Sequence, residues 1–352
     1  KYCHKFHNFS YSLLEVKIMF KKILLAIAIL LVIILSGWKL FFSKSDVSKK
    51  MDKLKKDLTS YHIEANMDLL SNDETRSYYI VTDYQKNNEQ DYFRVSMLDK
   101  NINQTQIMLK NNDGVFVLTP ALNQVYKFKG TWPLNSPKPY LYHSLISLFD
   151  EEHQIKKNEN GYLIMGKASY PNSPNWVNQE VQFSEDLKPI SVNILDASST
   201  SVGKITFTEV DFKPTYSEDF FSVDSNMNKA RENLPKSETS VTFDDLPLLP
   251  VDNSSTLKEK TISAIDGENY YILSFEGKNN FTMVQGIAQP NETMKVVELD
   301  MDYVETINGI AFVKDNHLIY QNNCVSYEIY SDTMDIYKII DVVNSLEVYD
   351  KK

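Results

Sequence analysis

The residues able to do chemistry are few, and their spacing limits what they can do. Downstream of residue 60 the histidines are His62, His143, His153 and His317, each isolated from the others. A hydrolytic metal takes His and carboxylate ligands at helix or hairpin spacing, and Glu151-Glu152-His153 comes nearest to that pattern. As the polar end of an amphipathic helix it reads as a solvated face, so no metal ligand is expected. Ser144 follows His143, but a serine nucleophile needs a G-x-S-x-G elbow or an S-x-x-K, and neither occurs in a supporting context. Phosphate-cradling loops need clustered glycines, and neither G-x-G-x-x-G nor G-x-x-x-x-G-K is present. Asp and Glu together number 47, yet none stands on an aromatic-lined strand end with the partner a glycosidase needs. No catalytic residue and no cofactor is expected, and the chain reads as a non-enzyme. Asn103, Asn253, Asn280 and Asn291 head Asn-x-Ser/Thr triplets that read as chance.

What must position any binding residues is a sheet. With 21 Tyr and 18 Phe against 10 Gly and 12 Pro in 352 residues, the chain favours half-buried pleated surfaces. Its mean hydropathy of −0.35 fits a globular body. Residues 1–60 hold 12 Lys and 4 acidic residues, so with a net charge of −10 overall the remainder carries −18. Such a body repels phosphate backbones, which removes the electrostatic footing for nucleic-acid binding. Cys3 and Cys324 flank the apolar segment and cannot make a disulfide framework or a zinc site.

From Ile23 through Leu30 and Leu35 to Trp38 there is no charge, and with Lys39 snorkelling the run reaches Phe42. At about 1.5 Å per residue it spans roughly 30 Å, the hydrocarbon thickness of a bilayer. Met19-Phe-Lys-Lys before it reads as the charged start of a secretory signal, so residues 1–18 read as an upstream, non-native extension; a cleaved signal peptide is the alternative, but no A-x-A follows before Lys39, and 19–44 reads as an uncleaved signal anchor. Leu35-Ser36-Gly37-Trp38 is a lipobox in every position but the last, where Trp38 replaces the thiol that accepts lipid. Seven lysines between 39 and 56 outnumber the four at 5, 17, 21 and 22, and by the positive-inside rule this would leave the folded part in the cytoplasm.

Asp46 is expected to cap a helix with Val47, Met51, Leu54 and Leu58 on one stripe beneath lysines suited to anionic lipid. Period-two patterning then predicts six antiparallel strands between Tyr61 and Phe128, and a helix carrying Leu141, Leu145 and Leu148. Five more strands follow between Gln154 and Phe212. About eleven strands in one twisted sheet must curl around a hollow. Pro235, Pro247 and Pro250 mark a linker at 230–256. The tail, 257–352, reads as a smaller α+β domain that closes with a helix capped by Asp332, with Ile336, Ile339, Ile340, Val343 and Leu346 buried.

The most specific stretch runs from Gly114-Val115-Phe116-Val117-Leu118-Thr119-Pro120-Ala121-Leu122-Asn123 through Tyr126-Lys127-Phe128 to Trp132-Pro133-Leu134-Asn135. It resembles the LolA-like sporulation and germination lipoproteins of spore-forming bacteria, the YdcC/GerS type. The wider superfamily holds outer-membrane lipoprotein carriers and RseB-type periplasmic regulators. The resemblance is strongest over residues 47–225. It implies a mainly β fold with covering helices (α+β): a curved antiparallel half-barrel over 45–229, the C-terminal α+β domain, and one transmembrane helix before them. It also implies an extracytoplasmic location at the cell membrane, against the lysine count, including the space between forespore membranes. It implies no catalysis but binding of a protein of the cell-wall or spore-cortex machinery, such as a cortex peptidoglycan amidase. The alternatives are a carrier of lipid or lipoprotein acyl chains and an RseB-like envelope stress sensor. The candidate ligand or partner surface is Phe116, Leu118, Pro120, Tyr126, Phe128, Trp132, Pro133, Leu141 and Leu145. The membrane-anchor positions are Ile23, Leu30, Leu35 and Trp38.

Overall fold

The computed structural model describes residues 46–71, 74–129, 132, 138–170, 173–234, 241–250, 255–306, 309–322 and 324–346, which are mainly β. The chain divides into two compact units, 1–56 and 57–352. In the first, helix α1 (Asp46–Asp57) has Asp46 in its opening turn and Lys55 and Lys56 in its closing turn, as the helix dipole favours. The expected extension and anchor, with Ile23, Leu30, Leu35 and Trp38, lie outside the described residues. Among the described residues no helix is long and apolar enough to cross a membrane.

The second unit holds one sheet of twelve strands and one of seven. In the larger sheet, β1 (Ser60–Ser71), β2 (Glu74–Asn87), β3 (Gln90–Asp99), β4 (Gln104–Asn111), β5 (Gly114–Thr119) and β6 (Gln124–Phe128) form the predicted antiparallel meander. A second meander follows: β7 (His153–Asn158), β8 (Gly161–Lys167), β9 (Asn178–Phe183), β10 (Pro189–Leu195) and β11 (Ser201–Asp211), with β11 returning to pair with β1. Helix α2 (Tyr142–Ser147) lies between the meanders, with Leu141 at its N-cap position and Leu145 buried.

The smaller sheet is ordered β12 (Ser255–Ile265), β13 (Glu268–Gly277), β14 (Phe281–Ile287), β19 (Val325–Tyr330), β18 (His317–Asn322), β17 (Gly309–Lys314) and β16 (Asp302–Thr306). Two expectations change here. The strand expected near Lys295–Leu299 does not join its neighbours in sequence; as β15 (Lys295–Leu299) it pairs in parallel with β6 and becomes the twelfth strand of the large sheet. The closing helix, α4 (Ile336–Asn344), is capped by Asp335, whose side chain accepts from the Lys338 N–H at 3.0 Å, and not by Asp332. The reason is local: Ser331 Oγ accepts the Thr333 and Met334 N–H groups, making a turn that delays the helix by three residues. Ile339, Ile340, Val343 and Leu346 are buried as expected.

The two sheets meet within this unit. Tyr126 on β6 packs against Phe312 with ring centres 4.7 Å apart and planes tilted by 48°, and donates its hydroxyl to Gln321 Oε1 at 2.8 Å. Phe128 packs on Tyr303 at 5.2 Å. Beside them Glu305 accepts from the Tyr140 hydroxyl at 2.7 Å and pairs with Lys138 at 3.5 Å, so its buried charge is compensated.

Candidate functional site

Strands β2, β3 and β4 turn one face towards helix α3 (Val223–Glu232). The helix starts where Ser222 Oγ accepts the Ser225 N–H at 3.1 Å, and it ends on Lys229 and Arg231, favourable charges for that terminus. Met227 and the preceding Phe221 pack on Ile107, Leu109, Phe116, Leu118 and Val125, anchoring the helix to the sheet. Next to this apolar contact the helix stands off, and a cavity of about 740 Å³ opens between it and the strands. The lining is mixed: Val81, Leu98, Ile107, Phe220 and Leu234 supply apolar walls, while His62, Asp83, Arg94, Asp211, Tyr216, Asn226 and Lys229 supply polar ones.

The polar groups form a row set by strand register. His62 opposes Asp83 across β1 and β2, and Asp83 opposes Arg94 across β2 and β3. Directly opposed side chains share a sheet face, so the three meet. The Asp83 side chain is 1% exposed; it accepts from His62 Nδ1 at 2.7 Å, from Arg94 Nη1 at 3.1 Å and from the Tyr216 hydroxyl at 3.2 Å. Arg94 Nε donates to Asn226 Oδ1 at 2.5 Å, and Asn226 donates to the Phe220 and Ser222 carbonyls. The network therefore ties α3 to the middle of the sheet. The bond to Asp83 lifts the His62 pKa to about 8, with Glu64 adding to it and burial working against it.

This arrangement stores charge more readily than it moves protons. His62 spends Nδ1 on Asp83 and Nε2 on Glu64 at 3.4 Å, leaving no ring nitrogen to activate a hydroxyl. His143, beside Ser144, points instead into aromatic rings. Its Nδ1 is 3.2 Å from the Tyr61 hydroxyl, Tyr84 and Phe93 pack on it, and burial lowers its pKa to about 4. Glu151 and Glu152 are exposed, and His153 Nδ1 bonds the Glu151 carbonyl at 2.7 Å.

The residues singled out from the sequence are divided between two faces. Phe116 and Leu118 oppose Lys127 and Val125, whereas Val115 and Val117 oppose Phe128 and Tyr126. Phe116 and Leu118 thus lie under α3 on the cavity side, and Tyr126 and Phe128 lie on the opposite side against the smaller sheet. Trp132, fully buried, meets Phe93 edge-on with centres 6.2 Å apart, on that second face. Pro120 opens a 3-10 turn, and its carbonyl accepts from Arg231 at 3.2 Å. Leu141 and Leu145 are buried around α2, and Pro133 lies outside the described residues. The row His62, Asp83, Arg94 and the partner residue Asn226 is not legible in the sequence, because a charged residue on a strand looks like solvated surface until its cross-strand neighbour is known.

No family model matches the chain. It is 28% identical over 336 residues to sporulation protein YdcC of Bacillus subtilis (strain 168), covering 92% of this chain and 96% of that protein. Among solved structures, a chain of the Pseudomonas aeruginosa MucA/MucB complex is similar at 10% identity and a TM-score of 0.32, with 87% of this chain and 100% of that one covered. A chain of the CwlD amidase from Clostridioides difficile in complex with the GerS lipoprotein is similar at 15% identity and a TM-score of 0.21, covering 50% of this chain and 96% of that one. Through both meanders and the tail alike, the chain is similar to sporulation protein YdcC.

Proposed function

We propose that the chain is a sporulation protein that works by binding and catalyses nothing. In this reading residues 19–44 anchor it to the membrane, residues 45–229 form a curved LolA-like half-barrel outside the cytoplasm, and 230–256 link this to a C-terminal domain at 257–352. Its partner is a protein of the cell-wall or spore-cortex machinery, a cortex peptidoglycan amidase being the type the resemblance implies. The observation that carries the reading is the 28% identity to sporulation protein YdcC along 92% of the chain. The histidine environments support it, since both ring nitrogens of His62 are held by carboxylates and His143 is packed among aromatics. The test is affinity capture of the full chain from sporulating cells of its own host, together with deletion of its gene. Recovery of a wall enzyme and an altered cortex are expected; recovery of none, with a normal cortex, sinks the reading.

A second reading rests on the 740 Å³ cavity, which has the size of a small-ligand site. Its mixed lining suits an amphipathic occupant, such as an acyl chain with a polar head, better than a bare hydrocarbon. Native mass spectrometry of the purified chain, before and after delipidation, separates the two: removable added mass favours the carrier, and its absence favours the protein binder.

A further inference from the structure

We propose that His62, Glu64 and Glu209 form a binding site for a divalent transition cation of the zinc type on strands β1 and β11. Their donor atoms lie within 4.8 Å of one another. Donors bound to such a cation at about 2.0–2.2 Å stand roughly 3.3–3.6 Å apart in a tetrahedron. His62 Nε2 and Glu64 Oε1 are already 3.4 Å apart, and the cation would take the place of the proton they share. Glu209 is exposed, so its side chain is free to close the remaining gap.

The backbone brings the three together. His62 and Glu64 are two apart on β1 and share a face. The pairing with β11 then slips by one residue, since Glu64 opposes Glu209 while Ala65 opposes Phe207. Thr208 is the extra residue of this bulge, and its insertion puts Glu209 on the face of His62 and Glu64. Two like charges directly opposed across a ladder are unfavourable, and a bound cation would offset that cost. Asp211, opposite His62, adds to the negative field.

The groups behind the donors fit the same reading. A metal-binding imidazole commonly gives its other nitrogen to a carboxylate, which fixes the tautomer and the ring direction. His62 does so with Asp83 at 2.7 Å, and Asp83 is itself held by Arg94 and Tyr216. The second oxygen of Glu64 accepts the Tyr79 hydroxyl, which leaves Oε1 directed at His62. An imidazole among carboxylates selects zinc-type cations over Mg²⁺ or Ca²⁺, which prefer oxygen alone. Of the three donors His62 also lines the cavity, with Asp211 beside it, so a bound cation would lie next to that wall.

The test is titration of the full, chelator-treated chain with Zn²⁺ against a competing chromophoric chelator, with Mg²⁺ in parallel. Comparison with Glu209→Gln, an exposed and conservative change, separates this site from any other donors in the chain. One Zn²⁺ that the wild type binds at least 10-fold more tightly than Glu209→Gln, without equivalent Mg²⁺ binding, is the expected result, and His62→Gln should weaken it at least as much. Equal Zn²⁺ titrations of wild type and Glu209→Gln overturn the proposal, whatever His62→Gln does.

Discussion

The side-chain amide of Asn123 donates to the Asn291 carbonyl at 3.0 Å, and Asn291 answers with two donors, its own N–H and its side-chain amide, on the Leu122 carbonyl. The Asn123 carbonyl then accepts the Lys295 N–H at 3.1 Å, which sets the register of β15 on β6. Asn123 stands at φ 53°, in the left-handed region that asparagine tolerates better than most residues. The turn after β5 thus closes a hairpin and also holds the tail to the large sheet.

Glycine and alanine at position 123 separate these two duties. Asn123→Gly keeps the left-handed backbone and loses the side-chain bond, an expected cost of about 1 kcal/mol. Asn123→Ala loses both, at about 1 kcal/mol more. Urea unfolding midpoints measure the difference; equal values for the two variants would show that the backbone conformation contributes nothing.

Leu118 and Phe128 lie on adjacent strands but on opposite faces of the sheet, so they share no core. Leu118→Ala is expected to cost about 2–5 kcal/mol and Phe128→Ala about 3–5 kcal/mol. The double variant should lose their sum to within about 0.5 kcal/mol, as independent sites do. A coupling above 1 kcal/mol in the double-mutant cycle contradicts the two-faced arrangement.

Arg94→Met removes the permanent positive partner of Asp83, whose side chain is 1% exposed in the wild type. Breaking one side of such a pair costs about 3 kcal/mol, and neutralising the survivor recovers part of it. Asp83→Asn is therefore expected to restore at least 1 kcal/mol when added to Arg94→Met. Chemical denaturation of the single and double variants checks this, and a further loss in the double variant refutes it.

His143 sets an acid-side weakness. Its pKa falls from the usual 6.5 to about 4 on folding because burial disfavours the imidazolium. The unfolded chain therefore takes up this proton first as the pH drops. The associated stability is complete above about pH 6.5 and is lost progressively towards pH 4, by about 2–3 kcal/mol once partial solvent access is allowed for. In His143→Leu that share of the pH dependence should vanish. Parallel curves for wild type and variant between pH 6.5 and 4 would show that the imidazole is not held neutral.

Much of this architecture is legible from alternation alone. The six strands from Tyr61 to Phe128 announce themselves by period two, and β15 forms where a strand is expected, at Lys295–Leu299. What alternation does not carry is the identity of a strand's neighbour, and so β15 reads as a member of the tail although it pairs with β6. Strand β16 hides because Val304 is its one buried residue. Helix α3 hides because Asn226 and Met227 are its only buried positions, and Val223, Met227 and Ala230 are too few apolar residues to mark a stripe. The polar row shows how much rests on register: His62, Asp83 and Arg94 are far apart in the chain, and only the pairing of three strands makes them one site.

The parallel docking of β15 also constrains how the protein is made. A nascent chain completes β6 long before Lys295–Leu299 emerges, so the backbone donors and acceptors of that edge wait bare through nearly half of synthesis. Bare edges recruit foreign strands. A premature stop or proteolytic nick between the two sheets would therefore release a sticky fragment that cellular quality control must intercept, in place of a smaller working protein.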